Sequence, residues 1–574
     1  MILLLLVVAA GCGHAPGPSE GDTPAARTEP TAVLGATPSP TVTPAPGQPA
    51  PLPEYRAPAL PKDIDRFFSA SGACADCHTG MKDEAGNDVS MGVDWRGAIM
   101  ANAARDPYWQ ASVRSEVLDH PRLTAVIEDK CANCHTPMAQ FTVASSGDES
   151  PLLDGGFLGD NHRLHNLAID GVSCALCHQI EEQGFGDEES FSGGFAIDTK
   201  RPRGRRLAYG PFPPAWLPAS VMHDVSGFRP IEGQHTGQSE LCATCHTLYT
   251  PYVDESGEVA GTFPEQVPYL EWQHSDYAEW GACQDCHMPV AGGAVRLATT
   301  GGGPPRSPFA QHRFIGGNTY VLKMLWAFGE DLDVTASSDH FARKITQTLE
   351  QLQERTATLS VEQGAITDSH VTFDVVVRSL AGHKVPTGFP ARRTWLHVTV
   401  VDEAGDVLFE SGAFNPDGSI VGNDNDADPA AYEPHYEVIH EPGQVQIYEP
   451  ILEDASGEVT TALLEAKGYR KDNRLLPRGF DKTSAGADFA VYGAAAEDAD
   501  FAAEGDTVRY SLDLPETSGE LTLSVELLYQ SIGYRWAENL RRHQASEIAR
   551  FVNAYEHLPN APVVVAQATA SLRP

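Results

Sequence analysis

Two rhythms of hydrophobic and polar residues divide the chain. Up to about residue 360 the apolar positions fall in short, scattered groups, whereas from Val371 onward they alternate with polar ones between turn residues. In the first part the spacing predicts short helices over 95–104, 107–117 and 319–328, the last capped by Asn318. A longer helix is predicted over 338–359, with Phe341, Ile345, Leu349 and Leu352 on one face. In the second part 371–377, 394–401, 407–411, 444–452, 507–514 and 521–529 read as strands separated by Gly, Asp, Asn and Pro. Six such segments within about 160 residues predict a β-sandwich. A helix over 534–555 and a last apolar run, 563–565, close the chain.

The N-terminal pattern is of another kind. Residues 2–10 are uninterruptedly apolar, too short to span a bilayer but of the size of a signal-peptide core. They lead into Ala9-Ala10-Gly11-Cys12, which resembles a bacterial lipoprotein signal whose Cys becomes the lipidated N-terminus. No Lys or Arg precedes the run and Ala9 stands where Leu is usual, so an ordinary cleaved signal is the alternative. Either implies export. Residues 13–61 are rich in Pro, Ala, Thr, Gly and Ser without apolar periodicity, the composition of a disordered tether that reaches up to ~150 Å when extended. The expected organisation is a signal over 1–12, a tether over 13–61, a cofactor-packed body over 62–360 and a β-sandwich-like domain with a C-terminal helix over 361–574.

What fills the body is written five times between Cys74 and His287: Cys74-Ala75-Asp76-Cys77-His78, Cys131-Ala132-Asn133-Cys134-His135, Cys174-Ala175-Leu176-Cys177-His178, Cys242-Ala243-Thr244-Cys245-His246 and Cys283-Gln284-Asp285-Cys286-His287. Each Cys-x-x-Cys-His reads as a c-type haem attachment site, two thioethers to the porphyrin edge and the adjacent His as proximal iron ligand. Structural zinc is the rival for Cys-x-x-Cys pairs. Zinc uses such pairs two at a time, leaving one of five over, and does not require the His that follows every time here. Five covalently held haems explain the sparse apolar pattern, because flat macrocycles replace side chains as core, and haems this closely spaced pass electrons between them. The fold class predicted for this region is a multihaem cytochrome c domain of helical pieces and loops.

Composition narrows the partners. The 574-residue chain carries a formal charge of −38 and 11 Cys, ten of them in the motifs and the eleventh Cys12, so no disulfide framework is left. That charge argues against nucleic acid and for redox partner proteins, beside its plain role in solubility. Sixteen of the 21 His lie outside the motifs and supply distal ligands: His162, His165, His235, His312 and His383 are the candidates. His383 falls on a strand connection of the β-domain, from which it could reach a haem across an interface. Asp424, Asp426 and Asp428 alternate in an acidic loop that could hold Ca²⁺, though Pro429 and His435 stand where an EF-hand has its Gly and Glu.

Gly171-Val172-Ser173 before Cys174, the phrase Cys286-His287-Met288-Pro289, and the phrases Trp95-Arg96-Gly97-Ala98-Ile99-Met100 and Trp272-Gln273-His274-Ser275 resemble the multihaem cytochromes c that include tetrahaem cytochrome c and hydroxylamine oxidoreductase. The likeness covers roughly residues 65–320. In that group the first Trp phrase commonly ends in a distal His; Met100 stands there, which makes it a sixth candidate distal ligand or a packed apolar residue.

Three functions are compatible with this sequence. The first is an exported, membrane-anchored pentahaem cytochrome, facing the periplasm or the cell exterior, that relays electrons between redox partners. The second is an oxidoreductase acting on a small nitrogen or sulfur compound at one open haem iron; no motif marks such an iron, since all five end in His. The third is a module whose β-domain docks a partner while the haems deliver electrons.

Overall fold

A computed structural model describes residues 52–573 apart from Tyr55, Asp368 and residues 515–518. The apolar leader, Cys12 and most of the tether lie outside the described residues. The last part of the tether is laid on the body. The Pro53 carbonyl accepts from the Trp326 indole at 2.8 Å and the Ser338 hydroxyl at 3.0 Å, and the Pro61 carbonyl accepts from the Gly72 amide at 3.0 Å. No described helix is long and apolar enough to cross a membrane.

The sandwich forms as its alternation requires. One sheet runs in the order Ile447–Tyr448, Arg393–Val401, Leu521–Gln530, Val563–Leu572, with Val407–Ser411 also on Arg393–Val401. The other runs Ala357–Thr367, His370–Ser379, Gly505–Asp513, Val438–Ile439. Along Gly505–Asp513 the inward positions Val508, Tyr510 and Leu512 are fully buried, and Val508 faces Val375 across the antiparallel pair. Between the sheets Phe373 and Tyr510 stack at 5.0 Å and join Val398 and Val525 in one core.

Three predicted elements end differently. The helix expected to reach 359 stops at Arg355, and Ala357–Thr367 pairs with His370–Ser379 instead; its Ala-Thr-Leu-Ser-Val start alternates, and that period suits a strand. The helix expected over 95–104 divides into Met91–Arg96 and a 3₁₀ turn Met100–Asn102, where the Asn102 amide bonds the Ala98 and Arg96 carbonyls and so competes with the helix ladder. The C-terminal helix breaks into Tyr534–Leu540 and Ser546–His557. In the break Arg542 and His543 both bind Asp119, the last residue of helix Pro107–Asp119.

That last contact changes the domain picture. Ile548, Phe551 and Tyr555 of the final helix pack with Tyr108 and Ala111, and with Tyr320, Leu325 and Phe341, in one hydrophobic cluster. The end of the chain therefore closes on its beginning, and residues 51–574 form one compact unit with no division at 360. Arg114 fastens the closure, donating to Asp154 at 2.7 and 2.9 Å and to Glu547 at 3.0 and 3.1 Å. Arg114→Met keeps the volume and removes these bonds; it is expected to cost about 1–3 kcal/mol in denaturant unfolding, and an unchanged midpoint would refute the clasp.

Candidate functional site

A continuous cavity of about 1500 Å³ runs through the first half of the molecule, and all ten motif cysteines and all five motif histidines line it. Local sequence explains each approach. The Trp95 indole donates to the Val172 carbonyl at 2.8 Å and the Val172 amide to the Met100 carbonyl at 3.0 Å, so the Trp phrase and Gly-Val-Ser brace each other just before Cys174. Gly171 has φ +62° and a Cβ there would lie 2.7 Å from the Met100 carbonyl, which only glycine avoids. Asp170 accepts from the Ser71 amide and hydroxyl at 2.7 and 2.6 Å and ties the first motif to the third. Burial pushes its carboxyl up to about 6 against these bonds.

Four motif histidines are held alike. Nδ1 of His78 donates to the Leu297 carbonyl at 2.5 Å, His135 to Ala103 at 2.9 Å, His178 to Tyr209 at 2.5 Å and His287 to Ile315 at 2.5 Å. Such a bond fixes the tautomer with the proton on Nδ1 and leaves the Nε2 lone pair for a metal. Burial lowers the pKa of each and brings His135 to about 4, so all are neutral, the form that ligates. His135 also lies flush against Trp109, centroids 4.2 Å apart and planes 1° from parallel. His246 has no such carbonyl; burial, then His287 and Arg392, hold it at about 4.

Two histidines predicted as distal ligands stand opposite motif histidines. The ring centres of His178 and His312 are 6.2 Å apart, those of His287 and His383 6.3 Å, with planes within 26° and 16° of parallel. Two imidazoles bound on opposite sides of one ion through nitrogen–metal bonds of about 2 Å hold their centres roughly 6 Å apart. The donor set and spacing therefore fit haem. The zinc reading has no such support: among the described residues no three motif side chains converge on one ion, the one grouping of that kind being His435, Asp498 and Asp506. That group is satisfied internally. His435 donates to Asp498 at 2.9 Å and accepts from Gln446 and Asn473, and Asp506 accepts from Tyr448 at 2.7 Å.

The other distal candidates divide. Met100 lines the cavity with His312 and His383, whereas His162, His165 and His235 do not. His235 is buried with Nε2 donating to the Ile180 carbonyl at 2.9 Å, and His165 donates to the Phe157 carbonyl at 3.1 Å. His162 accepts from the Leu164 amide. The Ca²⁺ expectation is corrected: Asp426 is buried and its carboxylate is taken up by Arg393, at 2.8 and 2.9 Å, and the Ile420 amide, while Asp424 and Asp428 are exposed and do not converge with it.

Comparison with known proteins adds one match. A solved penta-heme cytochrome c552 from Thermochromatium tepidum is similar with a TM-score of 0.49 and 17% identity, over 88% of this chain and 100% of that one. No protein-family model and no curated protein matches.

The tertiary structure also orders the motifs. The thiols of Cys74 and Cys174 lie close together, as do those of Cys134 and Cys245 and those of Cys242 and Cys283. Cys177 in turn lies near Cys245. The neighbour order is thus first, third, fourth, with the second and fifth both beside the fourth.

A buried ionic network that the sequence does not announce positions His383. Glu271 accepts from the Lys384 amide at 3.2 Å and the Thr387 hydroxyl at 2.6 Å, on either side of the Val385-Pro386 turn. The Lys384 ammonium donates to Asp472 at 2.7 Å, and Arg474 bridges Asp472 and Glu271 at 2.7 and 2.8 Å. The second Trp phrase contributes the Ser275 hydroxyl, which donates to the Gly382 carbonyl at 3.2 Å. The signal in sequence would have been the charges Lys471, Asp472 and Arg474 just before the apolar pair Leu475-Leu476; Asp472 and Arg474 pair with residues about 90 and 200 positions away.

Proposed function

We propose that this chain is an exported pentahaem c-type cytochrome that relays electrons between redox partner proteins. The observation that carries the proposal is that all five Cys-x-x-Cys-His motifs line one continuous cavity and are neighbours of one another in a single connected set. Haem bound there would supply an iron that alternates between two oxidation states. The chain's own residues supply the rest: cysteines for attachment, His78, His135, His178, His246 and His287 as proximal donors, His312 and His383 as distal donors to the third and fifth motifs, and apolar walls that keep water out. Lipidation at Cys12 would anchor the molecule to a membrane; Cys12→Ala should then release it into the soluble exported fraction, and retention would refute the anchor.

The test is pyridine haemochrome quantification with low-temperature electron paramagnetic resonance of the oxidised holoprotein. Five haems per chain, all low-spin, would establish the relay; fewer than five would refute the attachment reading.

A second reading, an oxidoreductase at one open iron acting on a small nitrogen or sulfur compound, has one observation in its favour. His78, His135 and His246 have no second histidine ring opposite them among the described residues, and charged side chains gather beside the second motif. Glu265 is buried there with Lys130 and Glu116 as charged neighbours, and burial pushes its carboxyl up to about 8 and that of Glu116 to about 7. A high-spin haem that shifts on adding nitrite, hydroxylamine or sulfite would favour this reading.

A further inference from the structure

The acidity of this chain is not evenly spread. Residues 199–231 and 286–329 together carry ten of its 40 Lys and Arg and one, Asp224, of its 78 Asp and Glu. The fold brings these segments to the same part of the cavity wall. The His78 ring is held by Leu297, next to Arg296, and the His178 ring by Tyr209, three residues past Arg206. The segments touch directly as well: Arg306 donates to the Pro213 carbonyl at 2.8 Å, and Gly301 and Gly303 lie against Pro218.

At the centre stands helix Trp216–Ser226, which has no buried residue. Its inner side, Pro218, Val221 and Met222, lines the cavity beside the first and third motifs. Its outer side presents Trp216 and Leu217, 82% and 55% exposed, with Ser220 and Asp224 between them. A tryptophan that exposed is unusual for a surface that only meets water. Cations flank it on two sides. Lys200, Arg203, Arg205 and Arg229 are exposed on one, reached through the bond from His223 to the Gly204 carbonyl, and Arg296 is exposed on the other. None of these five is in an ion pair with the described residues; Arg201 is, with Asp198 at 2.9 Å. Unpaired cations around an apolar, aromatic centre form the layout of a docking face, a dry core with a charged rim. The net charge of −38 does not cancel it, because beyond about 8 Å the rest of the molecule is largely screened at physiological salt.

We propose that this face docks an acidic electron-transfer protein and is the port through which electrons enter or leave at the first and third motifs. The inference rests on the relay reading and deepens it by naming the partner's chemistry. Position favours a redox protein over an anionic membrane. The helix is itself a wall of the cofactor cavity, so a docked partner is separated from that cavity by this one helix.

The test uses the full holoprotein and a plant-type [2Fe–2S] ferredoxin, an acidic and strongly reducing protein, as probe. Stopped-flow reduction by the ferredoxin is compared with reduction by photogenerated neutral lumiflavin semiquinone, in the native protein and in the variant Lys200→Glu/Arg203→Glu/Arg205→Glu/Arg229→Glu. The ferredoxin rate is expected to fall at least tenfold at low salt, with the difference closing at about 0.5 M salt and the lumiflavin rate unchanged. Equal ferredoxin rates would overturn the port. So would loss of binding to phosphatidylglycerol vesicles in the variant with the ferredoxin rate intact, which would make the face a membrane contact. If the lumiflavin rate falls too, Trp216→Ala/Leu217→Ala decides: it keeps every charge, and an undiminished ferredoxin rate in it overturns the proposal. Failure of the relay reading looks different, since native haems would then accept electrons from lumiflavin and pass none on.

Discussion

Replacing Cys174 and Cys177 together with Ser is expected to remove one haem per chain and to disable the molecule more than the same change in the first, second or fifth motif, each of which lies at an end of the neighbour order. The third motif lies between the first, close through Cys74, and the fourth, near through Cys245. Without its cofactor the first motif is cut off from the other three. The loss is also structural, because Ala175, Leu176 and Ile180 pack in the main core of this half and would face a void in place of a macrocycle. Large voids in packed cores cost about 3 kcal/mol or more. The measurement is iron and pyridine haemochrome per chain, followed by thermal unfolding. Unchanged haem content would remove the third motif from the set. The same substitution in the fifth motif, at the end of the order, is expected to remove a haem but leave reduction of the others intact.

Asp472→Asn is expected to have the second largest effect, and it tests the β-domain's part in the site. Asp472 is wholly buried and accepts from Lys384 at 2.7 Å and from Arg474 at 2.7 and 2.8 Å. Removing its charge leaves two buried cations with Glu271 alone, and breaking one partner of such a network typically costs about 3–5 kcal/mol. Burial would raise the Asp472 carboxyl, but Arg474 and Lys384 prevail and hold it at about 2. Its contribution to stability is therefore complete above the ordinary carboxylate range near 4 and is lost as the pH falls through about 2. The stability gap between native and variant proteins should be full at pH 7 and shrink between about pH 4 and 2. A gap independent of pH would show that Asp472 acts through packing and not through charge. Because Lys384 adjoins His383, the variant should also disturb the spectrum of one haem. His383→Ala should convert that haem to high spin without the loss of stability, which separates ligand from scaffold.

Local patterns were legible where one residue decides one element. Asn318 caps helix Thr319–Ala327 by accepting from the Val321 amide, and the period-two runs became His370–Ser379, Arg393–Val401, Gly505–Asp513 and Leu521–Gln530 nearly to the residue. Side-chain competition was not legible: Asn102 ends a helix by bonding its own backbone, and Asp119 gathers Arg542 and His543 into a break. Among the histidines, His312 and His383 lie opposite motif rings, while His235, closer to a motif in sequence than either, donates to a backbone carbonyl. No local feature separates these cases, because the carbonyl that claims a ring comes from a distant strand or turn.

By itself the sequence pointed to the attachment chemistry, since thiol, thiol and imidazole must be adjacent in the chain to grip one macrocycle, and that adjacency is written five times. It also determined the sandwich, because a sheet with one buried face imposes a period of two on its residues. Only the tertiary structure decided which motifs are neighbours, which histidines stand opposite which, and that the last helix closes on the first half. These depend on sulfurs, rings and charges brought together from about 40 to more than 400 positions apart. At such separations no period or spacing in the chain records the contact.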